Sequence, residues 1–576
     1  MGNYNLTSIS IRDLLNNIEN NIIAIPEIQR PFLWKPNQVK DLIDSLYKNY
    51  PVGYLIFWQD DEVEVKGNIS AKDKQIIIDG QQRITSISAA LLGKSVVDDR
   101  YQTRGIRISF NPITEEFEVY NSNVKRSDAW INDISVVFTE EFSAEELVRD
   151  YSSRNEIEPE EVYRVIKKLS DIADRNLGLI ELSSDLTIDE ISEIFRRINF
   201  HGLEMTQTDF ALTKIAARSE YDGHNLRKAI DYFTHLLERP EDFDNIKKSD
   251  IDFASKEYFQ NLEWTKDAQS IYTPSYHDTL RVIFTYKFRR GRIKDFVELL
   301  AGYNFETRTY DRHNIEGIFQ RLKEGLLDFI NEENFTSYLQ RLRNIGLIRE
   351  NFIQSKSVIN FGYVLYLLLV EKGISPEIRN KSVERWLILS NISKRYSGSS
   401  ESTFQQDINL FTNSDDIVAT IDAIEAEELD DAFWNLTYID TLSTQHTPTF
   451  YTFVMAQVVA EDQGFLSTTT VEEIFDDVND KRHVFPREYL LPRGFTNQDI
   501  NQIANNVLVA QDAYDVRGVD SPSIYLLKFN ERDWHFKENA IPAGLDRMTN
   551  RDYPRFLEER RKLMAEKVKE YYESFK

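Results

Sequence analysis

The stretch QIIIDGQQRITSISAALLG, residues 75 to 93, changes its period in mid-run. Three consecutive isoleucines read as a buried strand, and beyond Gly80 the apolar residues recur at helical spacing. Asp79 to Arg83 therefore sit where a buried strand meets a helix N-terminus. The fold class expected of the chain is α+β.

The flanking residues extend the pattern. SIRDLLNNI reads as a short helix. Val39, Leu42, Ile43 and Leu46 recur at three- and four-residue spacing behind Pro36, a residue suited to a first helical turn. YLIFWQ reads as a strand, GIRISFNPITEEFEVY as a hairpin turning at Asn111-Pro112, SAEELVRDY and EPEEVYRVIKKLSDIADR as helices, and LGLIELSS as a further strand. Thr187 and Glu190 match a capping box that opens another helix. From about 220 to 460 the pattern is mostly helical. GYVLYLLLVEKG holds an apolar run too short to span a bilayer and reads as a buried helix. From about 465 short segments alternate with turn residues before a charged C-terminal helix.

A length of 576 residues exceeds what one hydrophobic core serves, so several domains are expected. There is no cysteine, which excludes disulfides, thiolate metal sites and cysteine nucleophiles and fits a reducing cytoplasm. No basic segment leads into an apolar run at the N-terminus, so no signal peptide is expected. The formal net charge of −26 argues against a broad non-specific nucleic-acid binder. A local basic groove is still allowed, because salt screens distant charge within about 10 Å.

Two stretches carry candidate chemistry. In the first, Asp79 at a strand end can hold a metal or bind a ribose. Gly80 permits close backbone approach, the helix start suits an anion, and Arg83 can grip phosphate in bidentate fashion. Gln81 and Gln82 can read polar edges, with Gln29, Arg30 and Asn199 as further donors. The same five residues also suit a structural strand-to-helix turn. The phosphate-loop spacing GxxxxGK[ST] is absent. In the second stretch, KRHVFPREYL, His483 precedes Pro486 and can take a proton from water. NQIANNVLVA follows with Asn501, Asn505 and Asn506 ahead of a short apolar run, and an asparagine there can orient the histidine or ligate a metal. A structural histidine is the alternative. The basic run YKFRRGRIK (286 to 294) reads either as a DNA-backbone contact or as a solvated helix end.

Taken together, IPEIQRPFLWKPNQVKDLIDSLYKNYPVGYLIFW, IIIDGQQRITSI and IFRRINFHGLEMTQTDFAL resemble the N-terminal DUF262 domain of GmrSD-type, modification-dependent (type IV) restriction enzymes. HVFPREYL, IANNVLVAQDAYDVRGVDSPSIYL and FLEERRKLM resemble its companion, DUF1524. The resemblance implies a ParB/sulfiredoxin-like N-terminal domain over 1 to 215, a mostly helical middle over 216 to 464, and a C-terminal His-Me finger (HNH-like) ββα nuclease domain over 465 to 576. It implies a nucleotide-regulated, metal-dependent endonuclease acting on modified or foreign double-stranded DNA. Asp79, Gly80, Gln81, Gln82 and Arg83 are then the nucleotide site for GTP, UTP or ATP, supported by Gln29, Arg30 and Asn199. His483 becomes the general base with Asn506 beside it, and Asn506 and Asp480 hold Mg²⁺ or Mn²⁺. Arg482 and Arg517 contact DNA. The family often has an acid immediately before the histidine, and Arg482 occupies that position here. The alternative is a nucleoside-triphosphate-hydrolysing regulator or DNA-binding defence protein with a degenerate nuclease domain. A homodimer or a defence-complex partner is expected, and no membrane.

Overall fold

The computed structural model describes residues 3–20, 22–24, 32–59, 64–65, 69–70, 75–139, 142–183, 185–186, 190, 194, 197, 206–216, 218–268, 270–310, 314–353, 355–445, 447–478 and 481–576. The chain forms two compact units, one from residues 1–266 and 297–320, the other from 267–296 and 321–576. It is an α+β protein with a helix-rich middle.

The first unit is built on strands β1 (Tyr4–Ser10), β2 (Ile23–Ala24), β3 (Tyr54–Gln59), β4 (Gln75–Asp79) and β5 (Asn176–Leu182). They form one mixed sheet in the order β1-β5-β3-β4-β2. β5 pairs antiparallel with β1 and parallel with β3, and β3 pairs antiparallel with β4 through an irregularity between Ile56 and Phe57. Strands buried on both faces are written as unbroken apolar runs, which explains YLIFWQ and QIIID. Against one face lie helices α1 (Ile11–Glu19), α2 (Pro36–Tyr47) and α3 (Gln81–Leu92). Ser10 caps α1 by accepting from the Asp13 N–H at 3.0 Å, and Pro36 opens α2. The helical stripe Val39, Leu42, Ile43 and Leu46 is buried with Leu55, Phe57, Ile77 and Ile84 in the main core of this unit. A smaller cluster of Ile56, Trp58, Leu182 and Leu186 fills the other face.

The expected hairpin is present at Ile108–Asn111 and Glu116–Val119, and the Asn111 side chain accepts the N–H groups of Ile113 and Thr114 in its turn. Helices Ala144–Asn155 and Pro159–Ser170 complete the layer. The Thr187 half of the expected capping box lies outside the described residues. Helix α4 (Gly223–Glu238) also packs in this unit, locked by a buried Asp242 carboxylate that accepts from Arg100 and Asn245 and faces the His235 ring at 3.0 Å.

The second unit centres on α5 (Lys356–Glu371), whose residues Val358 to Leu369 are all buried, and α6 (Pro376–Ile392). No described helix is long and apolar enough to cross a membrane. Towards the C-terminus come β6 (Arg482–His483), β7 (Asn506–Val507), α7 (Gln511–Arg517) and the 21-residue α8 (Tyr553–Glu573).

Candidate functional sites

The Asp79–Arg83 junction is fully formed. Gly80 caps α3 at φ +102°, a conformation that a side chain resists. A Cβ there would also come within 2.4 Å of Leu55 Cδ2, so sheet packing by itself requires the glycine. The Arg83 guanidinium turns inward. It donates to Asp79 Oδ2 at 3.0 Å, to the Tyr54 carbonyl at 2.7 Å and to the Val52 carbonyl at 3.4 Å. Gln82 Oε1 accepts the Leu33 N–H at 3.0 Å. Three of the five motif residues thus fasten the start of β3 and the entry to α2 onto the β4–α3 turn. Asp79, Gln81, Gln82 and Arg83 are each partly exposed at the start of α3. Gln29, Arg30 and Asn199 lie outside the described residues.

The His483 region is a two-residue antiparallel ribbon. Arg482 faces Val507 and His483 faces Asn506; short helices at Arg487–Leu490 and Asn497–Ile500 lie between the two strands, and α7 follows the second. Two paired residues are too few to satisfy the ribbon backbone, and buried side chains complete it. Arg517 donates to the His483 carbonyl. Tyr525 donates to the Val484 carbonyl at 2.9 Å. Arg560, projecting from α8 and wholly buried, donates to the carbonyls of Ala504 (2.7 Å), Asn506 (2.8 Å) and Asn539 (3.2 Å). Asn505 clamps the loop after the histidine: its Oδ1 accepts the Phe485 N–H at 2.9 Å, and its Nδ2 donates to the carbonyls of Phe485 and Ile500.

Asn506 behaves differently from its neighbour. It is 1% exposed, and neither amide atom has a hydrogen-bond partner. Burial, reinforced by the Arg517 charge, pushes the His483 imidazole down to about 4, so the ring is neutral at physiological pH. Burial also lowers Arg560, to about 9.

Arg482 stacks on the Tyr514 ring at 4.3 Å. Arg517, expected on DNA, is only 3% exposed and serves the ribbon backbone instead. Asp480 lies outside the described residues. Among the described residues no three His, Asp or Glu side chains are grouped to hold a metal. The charges acting on His483 are Arg517, Lys481 and Arg487 against Glu488. The described charges around His483 are therefore mostly positive. In the basic run, Arg289 pairs with Glu371 and Arg290 with Asp295, as a solvated helix end would.

Sequence reasoning passed over Arg560 and Tyr525, and it placed the histidine's companion at Asn506 without separating the task of Asn505. The signal for Arg560 was available. Tyr553, Phe556, Leu557, Arg560, Met564 and Val568 form one helical stripe, and an arginine on an apolar stripe has a buried task.

Two comparisons bear on these sites. Residues 11–216 match the family model described as the GmrSD restriction endonuclease, N-terminal domain. The chain is also similar to an uncharacterized protein, MJ0686, of Methanocaldococcus jannaschii, with 19% identity across 91% of this chain and 87% of that protein.

Proposed function

With an N-terminal region of the GmrSD restriction-endonuclease type as the premise, we propose that the chain is a restriction-type DNA endonuclease of the cytoplasm that cleaves modified or foreign DNA, its cutting centre at His483 and its control in the Asp79–Arg83 region. In this reading residues 1 to 215 form the ParB/sulfiredoxin-like sensor, 216 to 464 a helical middle and 465 to 576 an HNH-like nuclease domain. The observation that carries the proposal is the neutral His483 on a ribbon immobilised through its own backbone. A neutral imidazole is the form that accepts a proton. His483 takes a proton from water, the water oxygen forms a new bond to phosphorus, and the opposite P–O bond breaks, its oxygen leaving with a solvent proton.

For the nucleotide, the partly exposed Gln81 and the N-terminus of α3 are the groups that a nucleoside triphosphate such as GTP, UTP or ATP would meet. Arg83 is engaged with protein and contributes rigidity. Gln81→Ala is expected to weaken nucleotide binding at least several-fold with the melting temperature unchanged, measured by titration with each of the three nucleotides.

A second reading follows from Arg482 at the position where the family often has an acid: the C-terminal domain binds the DNA backbone without cutting it. The experiment that separates the two compares wild type with His483→Ala on unmodified, hydroxymethylated and glucosylated DNA, with and without nucleotide and divalent metal. Cleavage that disappears in the variant supports the endonuclease. Binding by both proteins with no cleavage under any condition supports the second reading.

A further inference from the structure

The sheet of the first unit ends on an open edge. β1 pairs with β5 through seven consecutive residues without a break in register, and among the described residues no strand lies on its other side. Alternate residues of a strand turn their N–H and C=O groups to opposite sides, so every second residue of β1 offers both outward. Tyr4 to Ser8 are all exposed. Such an edge is a template for pairing with another chain, and proteins blunt theirs with charges, proline or a bulge. β1 reads YNLTSIS and has none of these, in a chain of which 28% of the residues are charged.

The edge also carries apolar side chains. Tyr4 and Leu6 lie opposite Leu182 and Ile180, which in turn lie opposite Trp58 and Ile56. Opposed residues share a face of the sheet. Tyr4 and Leu6 therefore extend the smaller apolar cluster of Ile56, Trp58 and Leu182 to the rim, where they are 56% and 61% exposed. An apolar row beside unpaired backbone is what an added strand covers.

Charge and symmetry select the occupant. A net charge of −26 opposes the approach of two copies, and β1 is a stretch where that opposition has no local source. A two-fold axis at Thr7 sets Thr7 against Thr7, Leu6 against Ser8, Asn5 against Ile9 and Tyr4 against Ser10. No like charges meet, all seven residues pair and every side chain keeps its face. The two Leu6 side chains become diagonal neighbours. We infer that β1 is a self-association edge, to which a second copy of this chain adds its own β1 in antiparallel fashion, centred on Thr7. The contact is isologous and joins the two sheets edge to edge. One strand pair buries little surface, so the dimer is weak and depends on concentration. Nothing in it depends on the chemistry at His483.

The absence of cysteine makes the test direct. Directly opposed residues of an antiparallel pair have Cα atoms about 4.5 or 5.5 Å apart, within disulfide reach. The full chain, without DNA or nucleotide, is followed by sedimentation velocity across a wide concentration range. Wild type and Leu6→Lys are compared, and Thr7→Cys is oxidised beside Ile251→Cys, a control at a residue that is 73% exposed. The expected result is a wild-type dimer at high concentration and a Leu6→Lys monomer with an unchanged melting temperature. Thr7→Cys is expected to form a covalent dimer at least tenfold faster than the control. A wild type that stays monomeric throughout overturns the inference and leaves the edge to an extended segment of another protein. A dimer that persists in Leu6→Lys, or a Thr7→Cys chain that crosslinks no faster than Ile251→Cys, overturns it as well.

Discussion

Individual side chains in both sites spend most of their bonding capacity on backbone. Asn505 is the clearest case. Truncating it to alanine strands the Phe485 N–H and two carbonyls in the interior, and each unsatisfied buried group costs about 1–3 kcal/mol. Asn505→Ala is therefore expected to lower stability by about 2–4 kcal/mol in denaturant unfolding of the second unit. Arg83→Gln is expected to destabilise the first unit by about 2 kcal/mol, because the Tyr54 carbonyl and Asp79 lose their donor. Unfolding monitored by Trp58, in β3, would report it. If Arg83→Gln instead left stability intact and abolished nucleotide binding, the inward role of this arginine would be wrong.

Elements matter because the ribbon is short. Two paired residues cannot hold a fixed geometry, so a helix more than fifty residues further along the chain completes the strand pair through Arg560. Arg560→Met fills similar volume but leaves three carbonyls without donors, and a loss of about 3–5 kcal/mol is expected. Arg560→Lys keeps the charge but cannot fork between carbonyls of two segments, so an intermediate loss is expected. Thermal unfolding of the three proteins side by side checks this order. The β4–α3 junction obeys similar logic. Gly80→Ala meets both a left-handed φ and the Leu55 methyl, and Leu55→Ala in the same chain is expected to recover only the part due to contact.

For the whole molecule, pH and salt are the informative variables. His483 drops from its ordinary value of 6.5 to about 4 on folding. The unfolded chain therefore binds the proton first as pH falls. The stability from keeping this ring neutral is complete above about pH 6.5 and is lost progressively as pH falls toward 4. The melting temperature of His483→Gln should accordingly fall less than that of wild type between these pH values. Cleavage, if His483 is the base, should lose its acid limb near pH 4 and not near 6.5. A net charge of −26 opposes DNA at a distance, so binding must depend on local cations and should weaken steeply as salt is raised.

The period changes in the sequence were enough to locate most of the structure. Unbroken isoleucines, helical stripes, Pro36 at a helix start and Asn111 in a turn are local signals, and each element formed where its pattern lay because burial and capping act over a few residues. The residues DGQQR and KRHVFP likewise marked two junctions. Their tasks within those junctions were not legible. Whether Arg83 turns outward or inward depends on the carbonyls of Val52 and Tyr54. Whether Asn505 or Asn506 clamps the histidine loop depends on which amide meets Phe485 across the ribbon. The Arg517 and Arg560 guanidiniums reach the carbonyls of His483 and Asn506 from α7 and α8, helices that follow the ribbon in sequence. Sequence pattern determined the elements, since periodicity is a property of neighbouring residues. Tertiary packing settled the hydrogen-bond partners and the local charge, which depend on groups brought together from distant parts of the chain.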